Sequence, residues 1–420
     1  MRRDEMRKTL LAALMLLGSA PQAGAVEFSV DGYADFRVIF PSNEIGWLDG
    51  GLGKLRYGSD QNSPEFRVAE VVGRGVAQIT PGLMAMAVVR YSPEQRTFFD
   101  VLEAFVRWRP VSTTPVRFSL EAGAFFPPIS LENTEIGWTS PWTLTPSAIN
   151  AWVGEELRTI GAEATVEWRR PTGTASIYGA LYGWNDPTGV LLNRRGWALH
   201  DQWTGLIDRP RLPDIFALTR RPPEPVPSRT WEFIEIDKRV GWYAGASWDE
   251  IGIGHLDVLY YNNAADPTAE IEDEENDIDT YSWKTEFWNI GLRTEIGPVT
   301  LLAQGMRGDT YFRPSETFWS DTWFESAYLL AGWNISEDWR IAGRAEVFST
   351  NEQRPSGTGA PLSEHGHAFT AAINYLPNDW LRVTGEYIHV ESYRRQRTRG
   401  GLPPDASEDQ FQLSLRFYLP

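Results

Sequence analysis

The chain has no cysteine, and beyond its first 25 residues it has no apolar run long enough to cross a membrane as a helix. The first absence excludes a disulfide framework, and the second excludes helical spans. Lysine is almost missing, with only Lys8, Lys54, Lys238 and Lys284 among 39 basic residues. The remainder are arginines, which keep their charge in confined sites and pair bidentately with carboxylate or phosphate. Net positive charge is lacking too: the formal charge is -17, which argues against nucleic acid as a partner. Histidine is scarce at five residues, and none accompanies a Gly-x-Ser-x-Gly motif, so an activated-serine hydrolase has no visible machinery. His365 and His367 alternate onto one face with no further ligand cluster beside them in sequence, so no metal or other cofactor is expected.

What is present begins with residues 1–25. Arg2, Arg3, Arg7 and Lys8 precede an apolar run from Leu10 to Leu17 and a small-residue ending, Ala23-Gly24-Ala25. Basic, apolar and small segments in that order predict a secretory signal peptide that exports a mature chain of residues 26–420. That chain must place 19 Trp, 15 Tyr and 20 Phe without any continuous apolar segment, at a mean hydropathy of -0.35.

Period-two alternation shows how. In VEFSVDGYADFRVIF the even positions (Val26, Phe28, Val30, Gly32, Ala34, Phe36, Val38, Phe40) are apolar, and most odd positions (Glu27, Ser29, Asp31, Tyr33, Asp35, Arg37) are polar. The pattern returns in RFSLEAGAF, TIGAEATVEW, RIAGRAEVF and FQLSLRF. Repeated segments of about ten alternating residues are the mark of a transmembrane β-barrel, with one face toward lipid and the other toward a polar lumen. A soluble sandwich would need polar outer faces and a second layer. Short turns at residues 79–82, 110–115, 170–174, 249–254, 296–298, 335–338 and 376–379 alternate with longer links, which predicts an all-β antiparallel barrel of about 16 strands. Trp108, Trp168, Trp248, Trp333 and Tyr375 precede short turns as the last outward residues, the place of an interfacial aromatic girdle. The lumen of such a barrel is expected to hold water rather than side chains.

One stretch adds a resemblance. Gly123, Phe125, Pro127, Pro128, Ser130, Leu131, Glu132 and Asn133 resemble the third-loop region of the phosphate-selective porin (porin O and P) group of the porin superfamily. The resemblance implies a sixteen-stranded, commonly trimeric outer-membrane channel for small hydrophilic solutes, constricted by a third loop at about residues 126–156 that folds inward. It does not carry phosphate selectivity over: between Phe126 and Leu157 there is no Arg or Lys, only Glu132, Glu135, Glu155 and Glu156.

Inward positions nominate the pore residues. Arg37, Arg340, Arg344, Arg382 and Arg416 fall on strands that become neighbours on closure, forming a basic wall. Glu103, Glu121, Glu163 and Glu167, with Arg107 and Arg117 among them, line the opposite side beside the loop residues Glu132 and Glu135. Opposed walls impose a transverse field on passing solutes; alternatively, these groups pair with one another or solvate a wide lumen. Trp138, Trp142 and Trp152 offer either a stacking track for sugars and aromatic acids or packing of the loop against the wall. A long external loop spans about residues 185–238, and its RRPPEPVP segment (220–227) reads as a stiff lid or a subunit contact. The acidic run 270–279 lacks the glycine and spacing of a calcium loop and reads as a solvated external loop. Lipid and lipopolysaccharide are the expected surroundings. A substrate-specific barrel for sugars or organic acids, or a polysaccharide exporter, shares the strand rhythm.

Overall fold

The computed structural model describes residues 26–59, 63–213, 228–273, 278–358 and 361–419. The expected signal peptide and the RRPPEPVP segment lie outside these residues. Nine strands come first: β1 (Glu27–Phe40), β2 (Glu65–Thr80), β3 (Leu83–Tyr91), β4 (Phe99–Trp108), β5 (Val116–Phe125), β6 (Thr159–Arg170), β7 (Gly173–Gly183), β8 (Gly241–Glu250) and β9 (Gly254–Asn262). A small separate hairpin follows, β10 (Glu270–Asp273) with β11 (Ile278–Tyr281), starting in the acidic run on the long-loop side. The chain ends with β12 (Lys284–Ile296), β13 (Val299–Phe312), β14 (Ser320–Asn334), β15 (Trp339–Gln353), β16 (Glu364–Asn378), β17 (Leu381–Arg394) and β18 (Asp405–Leu419).

All strands except the β10–β11 hairpin form one closed antiparallel barrel of 16, sealed by β1 against β18. All seven expected turns occur where the alternation breaks. In two of them Gly252 and Gly297 take φ of +76° and +59°, a region that a side chain would resist. β2 alternates poorly in sequence because its register against β1 slips at Asp35/Phe36, a bulge that changes which residues face inward.

The outward face is apolar. Trp108, Trp168 and Trp333 are exposed near the short turns, and Trp339 and Trp380, the residues after two of these turns, extend the girdle. Trp339 stacks on Tyr375 with ring centroids 4.5 Å apart.

The lumen departs from expectation. The half away from the short turns is packed with protein, because the described parts of the first loop (41–59 and 63–64), the third loop (126–158) and the described parts of the fourth (184–213 and 228–240) fold back inside the barrel. Trp152, Trp197 and Trp203 are fully buried there, the first two among inward aromatics such as Phe287, Phe324 and Phe348 and the third against Tyr33 of β1 and Val72 of β2. Sixteen strands enclose space that water can fill, but aromatic side chains on both wall and loops gain more by meeting each other.

Candidate channel constriction

The third loop leaves β5 and runs round the inner wall. The Ile129 carbonyl accepts from Asn289 on β12 and Gln304 on β13, at 3.3 and 3.1 Å. The Trp142 indole lies on Gly332 of β14, where a Cβ would approach the ring to 2.4 Å, so only glycine admits this contact. Further along, the Leu144 and Thr145 N–H groups donate to Glu386 of β17, at 2.6 and 3.1 Å.

The loop then forms helix α1 (Ala148–Glu156). The Ser147 hydroxyl caps it by accepting from the Asn150 N–H. Two carboxylates stand at the same end, where the helix dipole is positive: Glu346 accepts from the Ala148 N–H at 2.7 Å and Glu132 from the Ser147 N–H at 2.9 Å.

Arg344 of β15 joins these parts. Its guanidinium donates to Glu132 (2.7 Å), to Glu346 (2.8 Å), and to the Thr145 and Pro146 carbonyls (2.9 and 3.0 Å). All three charged side chains are fully buried. A planar, always-charged fork suits four acceptors converging from a loop and a strand.

The fourth loop is held in the same manner. Helix α2 (Val190–Arg194) packs above α1, with Glu156 accepting from the Leu191 N–H at 2.8 Å. Arg394 of β17 donates to Glu364 (2.7 Å) and to the Asn193 carbonyl (3.0 Å), while Lys54 of the first loop reaches the same Glu364 at 2.5 Å. Asp201 lies between Arg37 (2.5 Å) and Arg56 (2.7 Å). Burial works to raise the Asp201 carboxyl, but the two guanidiniums overcome it and hold it well below the usual range. Burial likewise opposes ionisation of Glu155, and Arg195 with His200 reverses this, bringing it down to about 2. Glu156 and Glu232 have no such cation in contact, and burial pushes both carboxyls up.

The proposed pore residues therefore divide. Arg37, Arg344, Arg382 and Arg416 do share one wall, but they are buried in ion pairs: Arg382 with Glu135 at 2.6 Å, and Arg416 and Arg37 with Asp35 at 2.9 and 2.8 Å. Inward Asp35, Glu346 and Glu386 on the same strands, with Glu70 on the adjacent β2, neutralise that wall, so it is not a free basic surface. Arg340 stands apart near the short-turn end, half-buried. Trp142 and Trp152 are buried packing residues, and Trp138 stacks on Phe126 at 4.2 Å, so the three do not form an open track for sugars.

The opposite side remains accessible. Arg107 pairs with Glu121 at 2.5 Å, and Glu163 accepts from Tyr243 at 2.7 Å. Glu167 takes Arg109 at 3.1 Å and Arg169 at 3.4 Å, with Arg117 across from it on β5. Glu103 accepts the Phe126 N–H at 3.2 Å where the third loop begins. These groups form a charged vestibule on the short-turn side of the loops. Sequence reasoning missed Asp35, Glu364, Arg394 and also Arg90 of β3, which donates to Glu70 at 2.7 Å and to the Trp203 carbonyl at 2.8 Å, although the same inward alternation marks them.

Asp186, Glu235 and Asp237 bring three carboxylates together in the fourth loop. Each already accepts backbone N–H groups, from Ile236, Trp184 and Arg239 respectively, which makes them braces of that loop.

Comparison with known proteins gives the fold. Residues 256–419 match the family model described as "Putative beta-barrel porin-2, OmpL-like". No curated protein sequence matches the chain. Among solved structures, Salmonella typhi OmpF in complex with daunomycin aligns at TM-score 0.52 and 12% identity, over 95% of this chain and 100% of that one. Vibrio cholerae OmpT in its trimer form aligns at TM-score 0.51 and 10% identity, over 94% and 100%. The chain thus has the sixteen-stranded barrel fold of these outer-membrane proteins, and residues 256–419 carry the sequence pattern of a β-barrel porin family.

Proposed function

We propose that the protein is a bacterial outer-membrane channel for passive diffusion of small hydrophilic solutes or ions, with a route narrowed by inward-folded loops above a charge-lined vestibule. One contrast within the lumen carries this reading. Arg37, Arg344 and Arg394 on β1, β15 and β17 are fully buried beneath the loops, whereas the vestibule's Arg107, Arg74 and Arg109 keep 41, 34 and 39% of their side-chain surface in water. Charges left solvated along one side of a barrel can attract and orient polar solutes without trapping them. An apolar outer band with an aromatic girdle supports placement in a bilayer, and lipopolysaccharide contact at the external rim and a homotrimer belong to the same reading. Phosphate selectivity does not, because the third loop has no cation of its own between Phe126 and Leu157.

The buried loop contacts favour a second reading, a barrel specific for sugars or organic acids, over a polysaccharide exporter that needs a wide lumen. Liposome swelling with sugars of graded size tests both. Entry limited to the smallest sugars is expected; equal rates for mono- and oligosaccharides would overturn the constriction.

A further inference from the structure

Three arginines share one carboxylate at the short-turn mouth of the lumen. Glu167 on β6 accepts from Arg109 Nη2 with both oxygens, each at 3.1 Å, and from Arg169 at 3.4 Å, while Arg117 on β5 is its direct cross-strand partner. Arg117 makes no hydrogen bond or ion pair among the described residues, and the charges that bear on it are Arg109, Arg169 and Glu167. Three guanidiniums against one carboxylate leave a formal charge of +2. Nearby arginines each have an acid of their own: Arg107 with Glu121 at 2.5 Å, Arg170 with Glu250 at 2.7 Å, and Arg74 with Asp31. The excess is therefore local to this cluster.

These side chains face the water of the mouth rather than lipid. Arg109, Glu167 and Arg169 alternate with the outward Trp108 and Trp168, and Arg117 with Val116 and Phe118, which take the lipid side. Their backbones are fixed: the Arg109 N–H donates to the Gly82 carbonyl at 2.7 Å and the Arg169 N–H to the Pro115 carbonyl at 2.9 Å. Arg109 Nε is buried with no partner, and Arg117 has all its donors free. Deeper in the lumen the sign reverses. Glu121 and Glu163 stand directly across from one another four residues further along the same two strands, roughly 9 Å deeper at about 3.3 Å per residue and a tilt of about 45°. Among the described residues only Arg107 pairs with either of them, and Glu163 accepts from Tyr243 and Thr165. A small anion entering from the short-turn side meets attraction first and repulsion next, which holds it at the arginines.

We propose that Arg109, Arg117 and Arg169 bind a small dicarboxylate at the short-turn mouth of the barrel, with Glu167 positioning the two outer arginines beside Arg117. The site rests on the reading of this side of the lumen as a solvated vestibule, and it gives that vestibule a preferred solute. Arg109 just past β4, Arg117 on β5 and Arg169 on β6 come from three neighbouring strands. One carboxylate fits between Arg109 and Arg117 and a second between Arg117 and Arg169, which separates the two by about one strand spacing, roughly 5 Å. A short dicarboxylate has that span, its two charges match the excess of +2, and a guanidinium fork matches each planar end.

The test labels arginines of the purified barrel with phenylglyoxal in detergent at low salt and reads each one by peptide mass spectrometry, with glutarate as the probe. Glutarate should protect Arg117 at a concentration at least about tenfold below that needed with acetate. Arg340, on the opposite wall eight strands away in either direction, should stay unprotected. In Arg117→Ala, protection of Arg169 should need at least about tenfold more glutarate. Equal protection by glutarate and acetate, equal protection of Arg340, or unchanged protection of Arg169 in Arg117→Ala would overturn the site. In planar bilayers, glutarate should reduce the current more from the short-turn side than from the other. Arginine protection without any effect on current would count against the channel reading and leave the dicarboxylate site standing. Heat-modified gel mobility identical to the parent's establishes that the variant is a folded barrel.

Discussion

Replacing Arg344 by Met should free the third loop from the wall. The substitution keeps an unbranched apolar stem and removes the only cation among the described residues in contact with both Glu132 and Glu346, which are fully buried. It also strands the Thr145 and Pro146 carbonyls, which accept from the guanidinium at 2.9 and 3.0 Å. Breaking a buried pair by deleting one partner costs about 3–5 kcal/mol, because the remaining charge stays desolvated. That corresponds to about a hundredfold to several-thousandfold gain in the displaced-loop population. In planar bilayers the variant should spend a measurable fraction of time in a higher-conductance state, and the third loop should become accessible to protease while the barrel stays intact. Arg344→Lys keeps the charge but not the fork, so it should also loosen the loop. Adding Glu132→Gln to Arg344→Met should restore part of the loss, since the stranded carboxylate is gone. Unchanged conductance in Arg344→Met, or strictly additive single and double variants, would refute the anchor. A shift in ion selectivity alone, with no loosening, would favour the open basic wall instead.

Packing of α1 against the fourth loop should weaken as pH rises. The Glu156 and Glu232 carboxyls are raised by burial, so the packed state favours their protonated forms, and stability falls as pH climbs above their ordinary value of about 4.3. Neighbouring Glu155 is paired with Arg195 and His200, and His200, lowered by burial, acts in the opposite sense below about 6.5. Protection factors of the α1 amides, which remove the intrinsic base catalysis of exchange, should therefore fall between about pH 6.5 and 8, and Glu232→Gln should flatten that slope. In the vestibule, Glu121→Gln with Glu163→Gln should move the reversal potential in a salt gradient toward anions, whereas Glu272→Gln in the external hairpin should move it far less; equal shifts would mean that overall charge sets selectivity. A tag at Glu272 should be reached from outside whole cells and one at Ser336 should not, and the reverse would invert the barrel.

Much of the fold was legible because a barrel strand is written in local alternation. Val26 to Phe40 told which side of β1 meets lipid, and the turn residues from Ile79 to Asp379 counted the strands without any long-range information. The poorly alternating β2 kept its place in the count, since turns flanked it. The candidate site was legible only by face. Arg344 could be assigned to the lumen, but its role depended on Glu132, 212 residues away in sequence.

Sequence by itself determined the strand rhythm, the turn pattern and the outward aromatic girdle, because each follows from the period of side chains along a strand or from residues a few positions apart; the inward third loop was implied only by the family resemblance of residues 123–133. Tertiary structure alone decided which inward charges stay in water and which are consumed in holding loops. Charge compensation depends on distances of about 3 Å between groups that the chain brings together only when the barrel closes, and no periodicity encodes it.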